Sequence, residues 1–171
     1  FTFVMKMDKV TFPEAVEALA SRAGVELETD RNPEARKAAG ESEVLFDLNQ
    51  RIQRTFHYML VSAEEGKAAR EYLERRKVSA EMIERFQLGY APKGSDWLYS
   101  FLSGKGFSDD ILRKSGLFSQ NHFPYSLFQD RLVFPVRNRS GKTIGFSGRD
   151  LSGRENVPKY VNSPDTPVYS K

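Results

Sequence analysis

From Glu43 onward, Leu45, Leu48, Ile52, Phe56, Met59 and Leu60 form one apolar stripe at helical spacing, which predicts a long amphipathic helix. Ser62-Ala63-Glu64-Glu65 reads as a capping box opening a second helix with Ala69, Tyr72 and Leu73 inward. A third starts at Ser79, carries Met82, Ile83 and Phe86, and closes before Gly89. Two short ones follow, around Asp96–Ser103 and Ser108–Ser115, each bounded by glycine. Ahead of these, Thr11-Phe12-Pro13-Glu14 is a capping box with Pro just inside the helix start. That helix turns Phe12, Val16, Leu19 and Ala20 to one side and ends near Gly24, with Phe1 to Val10 as packing partners. Glu28 to Ser42 has almost no large apolar residue and contains Pro33 and Gly40. It is expected to be a linker or disordered loop, and the main boundary of the chain.

After the aromatic-rich segment Phe118–Phe128 the period changes from helical to two. Leu132, Phe134 and Val136 share a face, as do Ile144 and Phe146, and the intervening Gly-containing turn predicts a β-hairpin. A three-residue loop, Arg139-Ser140-Gly141, with Gly141 left-handed, fits the turn. This register sets Leu132 opposite Gly148, Phe134 opposite Phe146 and Val136 opposite Ile144, on one core-facing side. Helices first and strands later predict an α+β fold: a helical amino-terminal portion followed by a small antiparallel β-hairpin or sheet region.

The same register opposes Arg131 to Arg149 on the other face, unfavourable for a sheet by itself. Small residues between these charges leave room for an anionic ligand, such as a nucleic-acid backbone, against the strands. The alternative is that the arginines splay into water or pair with Asp130 and Asp150. Beyond the hairpin, Pro158, Pro164 and Pro167 hold the chain extended and keep helix out. Lys159, Tyr160 and Asn162 there offer an ammonium, a ring and an amide. These groups meet a phosphate, stack on a base and read a base edge. A plain tether has a similar composition.

The chain has 171 residues and a net charge of +3, unevenly spread. Residues 113–171 hold 10 Lys or Arg against 4 Asp or Glu, and the other 112 residues hold 16 against 19. The basic part coincides with the hairpin and the extended stretch, as a polyanion-binding surface requires. No apolar run approaches membrane-spanning length. Cysteine is absent, which excludes disulfides and thiolate metal sites and fits a reducing, cytoplasmic setting. The chain opens on Phe1 and stops at Lys171 without a terminator, so a piece of a longer protein is expected.

Candidate catalytic groups are few. His57 and His122, the two histidines, lack a neighbouring acid–nucleophile pattern, so packing or surface roles are expected. Gly145-Phe146-Ser147-Gly148 has Arg149 where a nucleophile elbow needs its last glycine. Asp109 and Asp110 are adjacent at a helix start, where the dipole favours acids. No phosphate-binding loop or dinucleotide fingerprint is present. No catalytic and no metal-ligating residue is expected in this chain.

DRLVFPVRNRSGKTIGFSGR at 130–149 followed by PKYVNSPDTP at 158–167 resembles the bacterial DNA primases of the DnaG type, in the subdomain preceding their Toprim catalytic fold. Leu88-Gly89-Tyr90-Ala91-Pro92, with Trp97 soon after, is similar to an earlier landmark of that family. Val10-Thr11-Phe12-Pro13-Glu14-Ala15-Val16 resembles the segment trailing its zinc-binding domain. The likeness implies a tail of the zinc-binding domain at 1–27, a linker at 28–42 and the amino-terminal subdomain of the RNA-polymerase core at 43–171, without the Toprim fold. A protein of this family copies single-stranded DNA into short RNA primers by nucleotidyl transfer. It is implied to use magnesium on Toprim carboxylates and zinc in the upstream module. Its implied partners are the template, the primer, nucleoside triphosphates and a replicative helicase.

This portion would form the template-holding wall, not itself catalytic. On the resemblance, Arg149, Lys159, Tyr160 and Asn162 match positions lining the DNA and nucleotide groove, and Arg76 matches a further basic position. Arg131 joins them from the hairpin register alone. Two residues depart from the family: Lys77 stands where Gly is usual after the helix of Arg75 and Arg76, and Leu127 where relatives often carry a polar residue. The rival expectations are a stand-alone single-stranded nucleic-acid binding module and a replisome interaction platform using the helices.

Overall fold

The structure, a computed structural model, describes residues 12–24 and 33–170, in compact units of residues 1–38 and 39–171. In the first, helix α1 (Phe12–Ala23) ends at Gly24, whose φ of +66° closes the helix as expected. Its expected N-cap Thr11 and the packing partners in Phe1 to Val10 lie outside the described residues.

Helix α2 (Pro33–Val61) starts well before Glu43. The expected linker is therefore helical over residues 33–42, and the rest of it, 28–32, lies outside the described residues. The apolar stripe fails as a signal here because residues 33–40 are exposed and need no apolar face. Pro33 sits at the helix start, where its missing N–H costs nothing. Leu45, Leu48, Ile52, Phe56 and Leu60 are buried as the stripe requires, with Asn49 and Gln53 among them.

The expected capping box at Ser62 does not form. Instead Arg70 Nη1 donates to the carbonyls of Leu60 (2.7 Å) and Ala63 (2.8 Å), closing the end of α2. A 3-10 turn at Glu64–Gly66 leads into α3 (Lys67–Arg75). The next helix, α4 (Ala80–Phe86), starts at Ser79 as predicted, and the Ser79 hydroxyl caps it by accepting from the Met82 amide at 3.2 Å. Only Ile83 of its apolar residues packs inward, however, since Met82 and Phe86 are about half exposed. Strand β1 (Gly89–Ala91), too short to register as an alternation, precedes α5 (Trp97–Gly104) and α6 (Asp109–Lys114).

Strands β2 (Arg131–Arg137), β3 (Thr143–Asp150) and β4 (Tyr160–Asn162) complete an antiparallel sheet of order β1-β2-β3-β4. The hairpin turn forms as predicted. Gly141 is left-handed at φ +79°, Asn138 N donates to the Lys142 carbonyl at 3.0 Å, and Arg137 pairs with Thr143. One step on, Val136 pairs with Gly145, so Ile144 is an extra residue and the ladder carries a β-bulge. The shift overturns the expected register: Phe134 faces Ser147, Leu132 faces Arg149, and Arg131 faces Asp150 rather than Arg149.

Because facing residues share a side, Val133, Gly148, Pro135 and Phe146 lie on one face of the sheet, and Leu132, Phe134, Ser147 and Arg149 on the other. Both faces are covered. Val133 and Phe146 join Leu48, Ile52 and Phe56 of α2 and Leu98 and Leu102 of α5 in one core. Leu132 and Tyr90 join Leu60, Ala69, Leu73 and Leu88 in a second, under α3. The close approach of α2 depends on Gly89, where a Cβ would fall 2.5 Å from Phe56 Cβ.

Candidate nucleic-acid interface

On the α3 side, the second core covers β1 and the start of β2, and the β3–β4 part of that face carries polar side chains instead. Tyr160 pairs with Arg149 and Asn162 with Ser147, so these four project from the same face. Tyr160 is 54% exposed and Asn162 is exposed. The extended stretch is held in place by Ser163. Its hydroxyl accepts from Phe146 N (3.1 Å), its amide donates to the Phe146 carbonyl (2.8 Å), and the side chain is fully buried.

Arg149 is the centre of the group. Its Nη1 donates to the Tyr160 hydroxyl at 2.9 Å, and its guanidinium carbon lies 5.5 Å from the Tyr160 ring centre and 5.1 Å from that of Tyr72. The Tyr160 bond, ahead of the smaller influence of Tyr72, pushes the Arg149 pKa above the usual arginine value. Its Nε is buried and has no protein partner. Arg76, at the end of α3, places its guanidinium carbon 5.4 Å from the same Tyr72 ring. Lys77 adopts φ +58°, and the turn closes with Val78 N on the Leu73 carbonyl at 3.0 Å, a Schellman-type end that keeps Arg76 on the exposed corner. Lys159 is exposed, and its carbonyl accepts from Asp150 N at 2.9 Å.

Four of the six expected residues, Arg149, Tyr160, Asn162 and Arg76, thus sit in this region; Arg149 and Arg76 share the Tyr72 ring, Tyr160 meets Arg149, and Lys159 stands one residue ahead of Tyr160 opposite Asp150. The sixth does not join them. Arg131 is 4% exposed on the opposite face, where its Nη1 donates to the carbonyls of Gly148 (3.2 Å) and Pro158 (3.0 Å). Burial lowers its pKa, and Asp150 opposes that shift. The absence of a Cβ at Gly148 makes room for it: one built there would stand 3.0 Å from Arg131 Cδ. Arg131 therefore ties the 150–160 loop to the sheet, which corrects its placement among the exposed cations.

Tyr72 is the residue missed from sequence. Its spacing with Ala69 and Leu73 marks it as inward, and it does pack against the second core, but its ring also meets two arginines. Sequence periodicity records the first role and is silent on the second.

The histidines take structural places. His57 Nδ1 lies 2.7 Å from the Leu88 carbonyl and Nε2 3.0 Å from Glu84, joining α2 to α4. His122 is exposed. Tyr90 donates to buried Asp130 at 2.8 Å, and burial, then this bond, pushes the tyrosine pKa up. Among the described residues no three or more His, Asp or Glu side chains gather where they could hold a metal ion, and no helix is long and apolar enough to cross a membrane.

Comparison with known proteins places the chain in a family. The model of the DNA primase catalytic core, N-terminal domain, matches residues 56–171. The DNA primase of Treponema pallidum (strain Nichols) is 39% identical over 170 residues, covering 99% of this chain and 28% of the relative. That of Geobacillus stearothermophilus is 38% identical over 176 residues, covering 100% and 29%. The chain thus spans less than a third of the length of these curated relatives. Among solved structures, a DnaG primase catalytic domain bound to single-stranded DNA is similar at a TM-score of 0.70 and 33% identity, covering 77% of this chain and 41% of that one. The zinc-binding and RNA polymerase domains of the Aquifex aeolicus primase are similar at a TM-score of 0.65 and 29% identity, covering 99% and 40%. With its sheet, its helices and more than half of its length matched in this way, the chain belongs to the family of DNA primase catalytic-core N-terminal domains.

Proposed function

We propose that this chain is the template-holding part of a primase that copies single-stranded DNA into short RNA primers in the cytoplasm. Arg149, Arg76, Lys159, Tyr160 and Asn162 would contact the DNA strand or the incoming nucleotide. The observation that carries the proposal is the meeting of Arg149 and Arg76 on the Tyr72 ring, with Tyr160 hydrogen-bonded to Arg149 beside them on an open sheet face. Cations there meet phosphates, and an exposed ring beside them offers a stacking platform. A neighbour of the same fold whose structure holds single-stranded DNA supports the choice of ligand.

Residues 1–27 are assigned to the tail of a zinc-binding domain, 28–42 to the connection and 43–171 to the core subdomain. Magnesium-dependent joining of nucleotides, where the metal stabilises charge at the reacting phosphates, is assigned to the Toprim carboxylates that the family resemblance implies. The zinc module, the nucleoside triphosphates and a replicative helicase as partner belong to the same proposal and rest on the family resemblance.

Binding of a fluorescent oligo-dT, followed by anisotropy, tests it. Arg149→Ala should weaken binding while leaving the melting temperature within a degree or two, on the order expected for surface changes. Arg131→Ala should do the reverse, lowering the melting temperature by removing the hydrogen bonds to the Gly148 and Pro158 carbonyls. Equal affinity of Arg149→Ala and the parent protein would remove the proposal.

A further inference from the structure

We propose that Tyr72 is a positioning residue, which gathers Arg76 and Arg149 on its ring into one paired site for the phosphates of a polynucleotide or a nucleoside triphosphate. The inference rests on the nucleic-acid reading above and adds a residue to it. Two guanidinium groups repel when brought together on a bare surface. Here each has the same aromatic ring for a partner, at 5.4 Å and 5.1 Å, and the negative face of a ring offsets part of that repulsion. Tyr72 can do this because its own place is fixed. It sits on α3, half-buried against the second core, so its ring is a wall rather than a mobile side chain.

Arg149 is further held by the Tyr160 hydroxyl at 2.9 Å, while its Nε edge is buried and has no protein partner. The ends left available point at whatever lies on the open face. Two planar forks placed on one ring suit phosphate oxygens, which a pair of freely moving ammonium groups would meet only at an entropic cost.

The test uses the full chain and two probes, oligo-dT and inorganic tripolyphosphate. Tyr72→Leu should weaken binding of the preferred probe by on the order of five-fold. It should also flatten the salt dependence of oligo-dT binding by about 0.7 to 1.4, the share of one to two phosphates. A residue that only packs the core lowers the melting temperature without changing that slope. Loss confined to oligo-dT identifies a strand as the ligand, and loss confined to tripolyphosphate a nucleotide tail; either supports the gathering role.

Arg76→Lys and Arg149→Lys, changes that keep the charge, cover the case in which Tyr72→Leu does not fold. Both should fall toward the affinity of the corresponding alanine variants, because a lysine does not stack as a planar fork. Lysine variants that bind both probes as tightly as the parent, or a folded Tyr72→Leu with unchanged affinity and slope, would overturn the role of Tyr72 alone. Arg149→Ala binding both probes like the parent would overturn the underlying reading as well.

Discussion

Lys77 carries the clearest conflict between a residue and its place. It holds φ +58° at the end of α3, a conformation that costs a residue with a Cβ roughly 1–2 kcal/mol. The hydrogen bonds of the turn form regardless, with Lys77 N on the Glu74 carbonyl at 2.8 Å and Val78 N on that of Leu73 at 3.0 Å. Lys77→Gly would relieve the strain and pay back part of it in unfolded-chain entropy. The expected outcome is a gain of about 0.5–1 kcal/mol in urea unfolding, with the denaturant slope unchanged. Gly24 and Gly141, also left-handed, need no such trade. Arg131 makes the complementary point: a cation in a basic segment is not thereby a surface cation. Its neighbours in sequence could not show that Gly148 leaves room above the sheet for its stem.

At the scale of elements, close approach decides stability. Gly89 brings β1 against α2, with a built Cβ only 2.5 Å from Phe56 Cβ and 2.8 Å from the Phe56 carbonyl carbon. Backbone atoms cannot swing aside, so Gly89→Ala should push strand and helix apart. Overpacking of this kind costs about 1–3 kcal/mol, expected as a lower melting temperature in calorimetry; a melting temperature equal to the parent's would show that the two elements separate freely. The long stripe of α2, the N-cap at Ser79 and the turn at Gly141 were all legible, because each is set by residues within a few positions of one another.

The bulge at Ile144 was not legible. Alternation is satisfied by either register when both faces of a strand are apolar, and Leu132 and Val133 are in fact buried on opposite sides. Only the cores that flank the sheet select between them. The first ten residues of α2 were hidden for a related reason: an exposed helix carries no apolar stripe. Tyr72 shows the same limit at the interface, since one arginine partner is four residues away and the other lies on β3, far along the chain.

For the whole molecule, the uneven charge of the sequence becomes an open sheet face. The net charge of +3 is too small for tight, indiscriminate binding, so affinity must come from a few placed groups. If Arg76, Arg149 and Lys159 each neutralise one phosphate, log affinity for oligo-dT should fall against log salt with a slope of about −2, from roughly −0.7 per phosphate. Lys159→Ala should flatten that slope by about one phosphate's share and weaken all sequences alike. Tyr160 enters differently. It is 54% exposed and carries no phosphate-neutralising charge, so Tyr160→Ala should keep the slope. The lost stacking should cost on the order of 1–3 kcal/mol in binding. Tyr160 also accepts the Arg149 hydrogen bond, which makes Tyr160→Phe the informative partner: it keeps the ring and frees the guanidinium. Stacking predicts that Tyr160→Phe binds nearly as well as the parent and Tyr160→Ala does not. Equal losses in both would assign the residue to holding Arg149 instead. Because the side chain is half exposed, neither variant should lower the melting temperature enough to confuse lost binding with unfolding, and measuring both quantities on the same samples settles which role Tyr160 has.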